Sequence, residues 1–337
     1  MDEKNKNNIF FLSLIFVLIG TFLRFYQLNF ESYWWDEMLG FWVADPNISL
    51  ENTIYRQSNH DQTSIIFHII IKKYYQLFGY NPELGRYVPL FFGIISIPFL
   101  GILSKQIKNN NSYLLTILLI SLNIYLINYS QENRYYSFVF FISIINLISY
   151  YKILQLNLSN FKKILFFLIF ILISILSLSL SPFILIIFFS QLVYCSYAFY
   201  FLKIKNYLFF FSASIILGLY SFINYEYIIL ELIAKKTHFV DPLNWQFIFN
   251  LFFPRFFGSS IMGGIYLSIF TFLLIYLRKK IFFTPNNFLP LILILFFSYA
   301  IPLTYGLIAT PILFDRYIIF VLIPILTLIS ILILEVE

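Results

Sequence analysis

An all-α, polytopic membrane protein with about ten transmembrane helices is what the sequence predicts, on three observations. Hydrophobic residues fill 60% of the 337 positions and charged residues 11%, against about 25% charged in an ordinary globular domain. The apolar residues come in long runs, enough for roughly ten crossings of about 20 residues each. The basic residues cluster in the short segments between those runs. This composition excludes a soluble enzyme, a disordered chain and a nucleic-acid binder with a solvated basic face. The net charge of +6 therefore speaks to membrane orientation. The single Cys195, inside an apolar run, excludes a disulfide framework and a thiolate metal cluster.

Ten runs are expected to cross: 9–28, 86–104, 113–129, 136–151, 164–180, 183–202, 207–225, 259–277, 288–305 and 317–334. No internal repeat and no soluble segment interrupts them, so 1–337 is expected to form a single membrane domain. The first run follows the polar Met1–Asn8 with no small-residue cleavage site behind it, and reads as a span and not as a removable leader. An eleventh run, 64–78, is short and carries Lys72 and Lys73.

Charge decides what that run does. Lys4 and Lys6, Lys105 and Lys108, Lys152 with Lys162 and Lys163, Lys203 and Lys205, and Arg278–Lys280 all sit in short segments, where the positive-inside rule is strongest. Placing every group in the cytoplasm requires an even number of crossings between neighbours. Only two of the three runs between Lys6 and Lys105 then cross, and 64–78 becomes an amphipathic helix on the outer surface, its lysines at the headgroups. Both termini are expected in the cytoplasm. Long outer loops run from about Asn29 to Gly85 and from about Glu226 to Ser259, the second holding Lys235, Lys236, His238 and an aromatic stretch from Trp245 to Phe257.

That topology, fixed by lysine-rich loops, brings the unusual polar residues to one side. Asp36 and Glu37 follow Trp34 and Trp35; His60 and Asp61 close the first loop; Arg86 opens the second span. Glu132 and Arg134 occupy the outer turn Tyr129–Tyr136, Asp315 and Arg316 the mouth of the last span, and Arg24 the outer end of the first. Singly, each has an ordinary reading: tryptophans as an interfacial belt, arginines as snorkelling anchors, Glu132 and Arg134 as a paired turn. Adjacent carboxylates beside a membrane surface resist that treatment, because they repel and lose solvation. An acid ringed by arginines suits group transfer from a lipid-linked phosphate: a carboxylate as general base, guanidiniums for the phosphate that leaves. Two carboxylates also suit a divalent cation, although the sequence names no certain cofactor or metal ligand. No HExxH, P-loop, GxGxxG or GxSxG is present.

At these residues the chain resembles a known family. Leu23-Arg24-Phe25 with Tyr33-Trp34-Trp35-Asp36-Glu37 is similar to the "LR…W.DE" signature of the GT-C membrane glycosyltransferases, in the branch of the dolichyl-phosphate-mannose protein mannosyltransferases and the lipid A aminoarabinose transferase. The stretch from Tyr129 to Ser137, YSQENRYYS, is similar to that branch's "YSQEaRmYs" and is the most specific match. Phe78-Gly79 with Arg86-Tyr87-Val88-Pro89, and Phe314-Asp315-Arg316-Tyr317, resemble two further elements. The family's "HPPL" stretch reads His60-Asp61-Gln62-Thr63-Ser64 here, without its prolines.

The resemblance implies a GT-C-like fold and an inverting transferase. It would move a sugar from a polyprenyl-phosphate donor to a lipid, glycan or protein acceptor at the non-cytoplasmic face of a bacterial plasma membrane, with membrane lipids and no nucleic acid as partners. It implies that Asp36, with Glu37 beside it, is catalytic. Arg24, Arg86, Arg134 and Arg316 would hold the polyprenyl phosphate, and His60, Glu132 and Tyr135 would shape the sugar or acceptor pocket. The other readings are a lipid-linked sugar transporter or flippase, disfavoured because mid-span segments carry almost no charge, and an inactive relative that binds polyprenyl phosphate only.

Overall fold

The computed structural model describes residues 3–61, 63–108, 110–154, 159–202, 208–224, 252–277, 288–308 and 311–336. The basic segments expected at Lys203–Lys205 and Arg278–Lys280, and the part of the expected second outer loop holding Lys235, Lys236, His238 and Trp245, lie outside them. Among the described residues the secondary structure is helical throughout: α1 (Glu3–Phe25), α2 (Trp35–Val43), α3 (Leu50–Arg56) with a π turn Gln57–Asp61, α4 (Ile65–Phe78), α5 (Pro82–Gly85), α6 (Tyr87–Ile107), α7 (Asn110–Leu122), α8 (Ile124–Ser130), α9 (Tyr136–Leu154) and α10 (Asn160–Leu180). After a 3-10 turn Pro182–Ile184 come α11 (Leu185–Leu202), α12 (Leu208–Ile223), α13 (Phe253–Phe256), α14 (Ser260–Tyr276) and α15 (Leu289–Ile308), then a 3-10 stretch Asp315–Val321 and α16 (Leu322–Val336).

Among the described residues, seven segments are long and apolar enough to cross a bilayer: α1, α5–α6, α9, α10, the 182–201 segment, α15 and Asp315–Val336. The pair α7 and α8 passes the same test across a 61° bend, and α14 and residues 211–223 of α12 are shorter apolar helices. These helices make the chain an integral membrane protein with seven crossing segments, or eight if the bent pair is one span, among the described residues.

Burial grades across the bundle. The last span is 83% buried and α9 72%, whereas α1 is only 17% buried and shows Phe10, Phe11, Leu18 and Phe22 to the lipid. The innermost helices can therefore be apolar all round, as the outer ones are for a different reason. Close approach at α1 depends on Gly20, where an added Cβ would lie 2.7 Å from Ile97 and 2.8 Å from the Ser121 hydroxyl.

The bend between α7 and α8 has an identifiable cause. Asn123 leaves the helical region at φ −71° and ψ 110°, and its Oδ1 accepts from Leu126 N at 3.0 Å, starting a new helix. Its Nδ2 donates to Phe256 O at 2.9 Å. The carbonyls that the break frees would be expensive at membrane depth. Arg24 reaches them from α1, with Nη2 donating to Ile120 O at 3.1 Å and Nη1 to Ser121 O at 3.4 Å. The cation thus sits against the negative end of α7, the favourable end for it.

Between α1 and α6, α4 spans 14 residues, about 21 Å at 1.5 Å per residue, well short of a roughly 30 Å hydrocarbon core. One face of it, Phe67, His68, Ile71, Lys72 and Tyr75, is buried, the helical spacing of a packed stripe. It ends at Gly79, whose φ of +106° suits glycine. The headgroup role expected for Lys72 is corrected here: its Nζ turns inward, donating to Asp45 O at 2.8 Å, Ile48 O at 2.6 Å and Thr53 Oγ1 at 2.9 Å. Two acceptors from the α2–α3 connection and one from α3 replace the ammonium's water. Lys73 is exposed and bonds Gln76.

Lys108 pairs with Glu335, so the start of α7 and the end of α16 share one end of the bundle. Arg86 and Arg316, at the other ends of α6 and of the last span, lie at the opposite end. There α2–α5, the turn 131–135 and α13 converge.

Candidate active site

Two neighbouring carboxylates open α2 and meet opposite fates. Residues one apart on a helix point about 100° apart, so Asp36 and Glu37 cannot face the same way. Glu37 is 1% exposed and is gripped on three sides: Arg86 Nε donates to Oε1 at 3.0 Å, Arg86 Nη2 to Oε2 at 2.8 Å, and Asn133 N to Oε1 at 2.7 Å. Arg86 Nη1 donates to Leu28 O at 2.9 Å and Glu31 O at 3.0 Å, and its guanidinium lies 4.2 Å from the Tyr33 ring centroid. This bidentate pair clamps α2, the end of α1 and the start of α6 together.

Asp36 is left open, its side chain 28% exposed, with Arg316 Nη1 at 3.5 Å from Oδ2. Arg316 lies among aromatic rings, with Phe314 at 4.9 Å, Trp34 at 5.4 Å and Tyr317 at 5.7 Å from its Cζ. That cage fixes the guanidinium and leaves its side chain 20% exposed.

The turn 131–135 carries the next two. Arg134 is buried; one nitrogen, Nη1, donates to Asp36 O and to Asp61 Oδ1, each at 3.0 Å. Asp61 also accepts from the Thr63 hydroxyl and from His68 Nε2, the latter at 2.6 Å. Burial alone would raise the Asp61 carboxyl, but the Arg134 guanidinium and the His68 bond hold it well below the usual carboxylate range. Burial likewise works against the Arg134 charge, and Asp61 outweighs it, so the guanidinium stays charged.

Glu132 differs from both. Its Oε2 is buried without a partner, and burial, with Glu37 nearby, pushes its carboxyl up to about 7, although Arg316, Arg134 and Arg86 oppose this.

The remaining sequence-derived positions scatter. Arg24 lies fully buried below this layer, committed to helix carbonyls. Tyr135 is buried, its ring 4.7 Å from Tyr136 and 6.4 Å from Phe67. His60 is exposed and stands edge-on to Trp42 at 5.3 Å, apart from Asp36 and its partners. Among the described residues no three His, Cys, Asp or Glu side chains gather as a metal site. Asp36 and Glu37 engage different arginines, so this pair does not fit a shared divalent cation.

Three participants escaped the sequence reading as site residues: Asp61, His68 and Arg255. Arg255, on α13, donates to Asp315 Oδ1 at 3.2 Å with its side chain 50% exposed, and its Cζ lies 5.6 Å from the Phe314 ring that Arg316 also touches. Only the clustering of Asp61 beside His60, and of Arg255 within an aromatic stretch, hinted at them.

The chain is similar in structure to ArnT from Cupriavidus metallidurans bound to undecaprenyl phosphate, with a TM-score of 0.64 at 12% identity, over 96% of this chain and 60% of that one. It is similar also to the oligosaccharyltransferase AglB from Archaeoglobus fulgidus in complex with an inhibitory peptide and a dolichol-phosphate, with a TM-score of 0.58 at 11% identity, over 99% of this chain and 51% of that one. The fold is that of the GT-C membrane glycosyltransferases. At such identity the likeness speaks for the GT-C fold alone, and the chain spans 60% of ArnT and 51% of AglB. No family model and no curated sequence matches it.

Proposed function

We propose that this protein transfers a sugar from a polyprenyl-phosphate donor to an acceptor hydroxyl, with inversion, at the non-cytoplasmic face. The observation that carries the reading is the split fate of the adjacent carboxylates: Glu37 sealed by Arg86, Asp36 open beside Arg316. Asp36 takes the proton of the acceptor hydroxyl as that oxygen attacks the anomeric carbon. The bond from that carbon to the phosphate oxygen breaks on the opposite side, and the polyprenyl phosphate leaves with the electron pair.

The arginines divide by what they already hold. Arg24, Arg86 and Arg134 are buried and bonded to protein acceptors, Arg86 through four N–H bonds, while the Nε of Arg24 and of Arg134 has no partner. Arg316, partly exposed, and Arg255, exposed, both lie against Phe314, each with a single bond to a carboxylate. We assign the phosphate to these two, with the buried three holding the frame around them. The names of the similar structures, one with undecaprenyl phosphate and one with dolichol-phosphate, support a lipid phosphate as partner. His68, joined to Asp61, steadies Arg134 and through it the backbone of Asp36.

The test uses the full chain in lipid nanodiscs. Undecaprenyl phosphate is expected to raise thermal stability in the wild type and in Asp36→Asn, and to do so weakly in Arg316→Gln. Transfer from a panel of undecaprenyl-phosphate sugars is expected to vanish in Asp36→Asn. Full transfer by a well-folded Asp36→Asn protein would end the assignment of the base.

A further inference from the structure

A cavity of about 680 Å³ lies beside α1 and α8, with Glu37 and not Asp36 in its lining. Its walls change character along its length. Leu23, Ile124 and Ile127, on segments that enter the membrane, make one part apolar. Trp34, Gln131, Glu132 and the Glu37–Arg86 pair make the other part polar.

The charges in the polar part decide what it accepts. Arg86 is the cation on the wall, and four of its N–H bonds run to Glu37, Leu28 O and Glu31 O, so it offers an anion almost nothing. Glu37 is satisfied by that same pair and by Asn133 N. The unpartnered group is Glu132 Oε2, an acceptor. A phosphate or carboxylate placed there would meet Glu132 and Glu31, and the one guanidinium on the wall, Arg86, is already engaged, Arg316 being outside the lining and against Trp34. A hydroxyl or an ammonium would give Glu132 the hydrogen bond it lacks.

The cavity also connects with the open carboxylate. Trp34 lines it and carries the Arg316 guanidinium on its ring, and Arg316 in turn meets Asp36. A headgroup resting against Trp34 and Glu132 therefore lies one side chain away from Asp36.

We propose that this cavity seats the glycosyl acceptor, and that the acceptor is a membrane-embedded amphiphile whose headgroup offers hydrogen-bond donors and carries no negative charge, read by Glu132. The assignment to the acceptor rests on Asp36 being the base. The binding preference stands on the cavity alone. An extended peptide arriving from water would leave the apolar wall uncovered.

The experiment reads Trp34 directly. The protein carries four tryptophans, and a variant with Trp35→Phe, Trp42→Phe and Trp245→Phe keeps Trp34 as its fluorophore. It is placed in phosphatidylcholine nanodiscs and titrated with chain-brominated n-dodecyl glucoside or chain-brominated n-dodecyl phosphate. The glucoside is expected to quench Trp34 saturably, with half-saturation at least fivefold below that of the phosphate. At pH 8, where Glu132 is mostly ionised, Glu132→Met is expected to weaken the glucoside about tenfold, the worth of one hydrogen bond to a charged acceptor, and to erase the discrimination. Ile127→Trp, which fills the apolar wall, is expected to abolish quenching by both. Equal or tighter binding of the phosphate overturns the proposal. So does glucoside quenching that neither variant changes. Undecaprenyl phosphate binding, followed by thermal stability in the same discs, separates the two readings. Its loss with the glucoside preference intact removes the donor and leaves the cavity assignment standing; the converse result removes the cavity.

Discussion

Replacing Glu37 by Gln tests the division of labour at the head of α2 most sharply. The substitution keeps the shape and removes the charge, leaving Arg86 4% exposed with no counter-ion. Removing one partner of a buried pair typically costs about 3–5 kcal/mol, because the other charge remains without solvent. Arg86 keeps its bonds to Leu28 O and Glu31 O, which places the expected loss near the lower end, about 3 kcal/mol. Asp36→Asn at the same helix turn breaks a 3.5 Å contact between partly exposed groups, for which about 0–1 kcal/mol is expected. Reversible unfolding of the two variants in bicelles, by tryptophan fluorescence against denaturant, measures both. A cycle with Arg86→Gln isolates the coupling, because the double variant no longer buries a lone charge. Equal losses for Glu37→Gln and Asp36→Asn, or a loss below about 1 kcal/mol for Glu37→Gln, would refute the assignment of Glu37 to the clamp and Asp36 to the open site.

Three further outcomes follow from other contacts. Asp61→Asn strips the counter-charge from Arg134 and is expected to destabilise by about 3 kcal/mol at neutral pH. Because the Asp61 carboxyl is depressed in the folded protein, its contribution is complete above about pH 4 and is lost as pH falls below that, so wild type and variant should converge in acid denaturation profiles. Glu132 has the opposite sign. Its carboxyl is raised to about 7, so its ionisation opposes folding increasingly from about pH 4.5 to 7, and Glu132→Gln should gain on the wild type by on the order of 2 kcal/mol between pH 5 and pH 8. Arg24→Met leaves the Ile120 and Ser121 carbonyls without their donor and should speed amide exchange across 120–126, measured by mass spectrometry, with about 1–3 kcal/mol of local stability lost.

Much of the architecture was readable from the order of residues, because in a membrane the rule is severe: backbone groups must be satisfied within a helix, and only long apolar runs can enter. Parity of the lysine-rich loops separates 64–78 from the other runs without reference to any contact. The site was readable as a place and not as a set of roles. Asp36 and Glu37 are neighbours in sequence, and nothing in their order says which one a 100° turn would deliver to Arg86. His60 stood out because it follows a loop. The buried histidine is His68, inside an apolar run, where it reads as one more position on a packed stripe. Lys72 looked like a surface lysine because its three acceptors are backbone and hydroxyl oxygens contributed by residues 19 to 27 positions away. Arg24 looked like a phosphate ligand because the break in the α7–α8 pair that it serves contains neither proline nor glycine.

Gln131 ties the turn that bears Glu132 and Arg134 to the top of α1, its Nε2 donating to Arg24 O at 3.0 Å and Tyr26 O at 2.7 Å. Helix α1 is the least enclosed of the long spans, so its tilt answers to the thickness of the surrounding bilayer more than that of any inner helix. Gln131 works as a tether between that outer helix and the groups around Asp36. Any change in the tilt of α1 would reach those groups through two hydrogen bonds from one amide nitrogen.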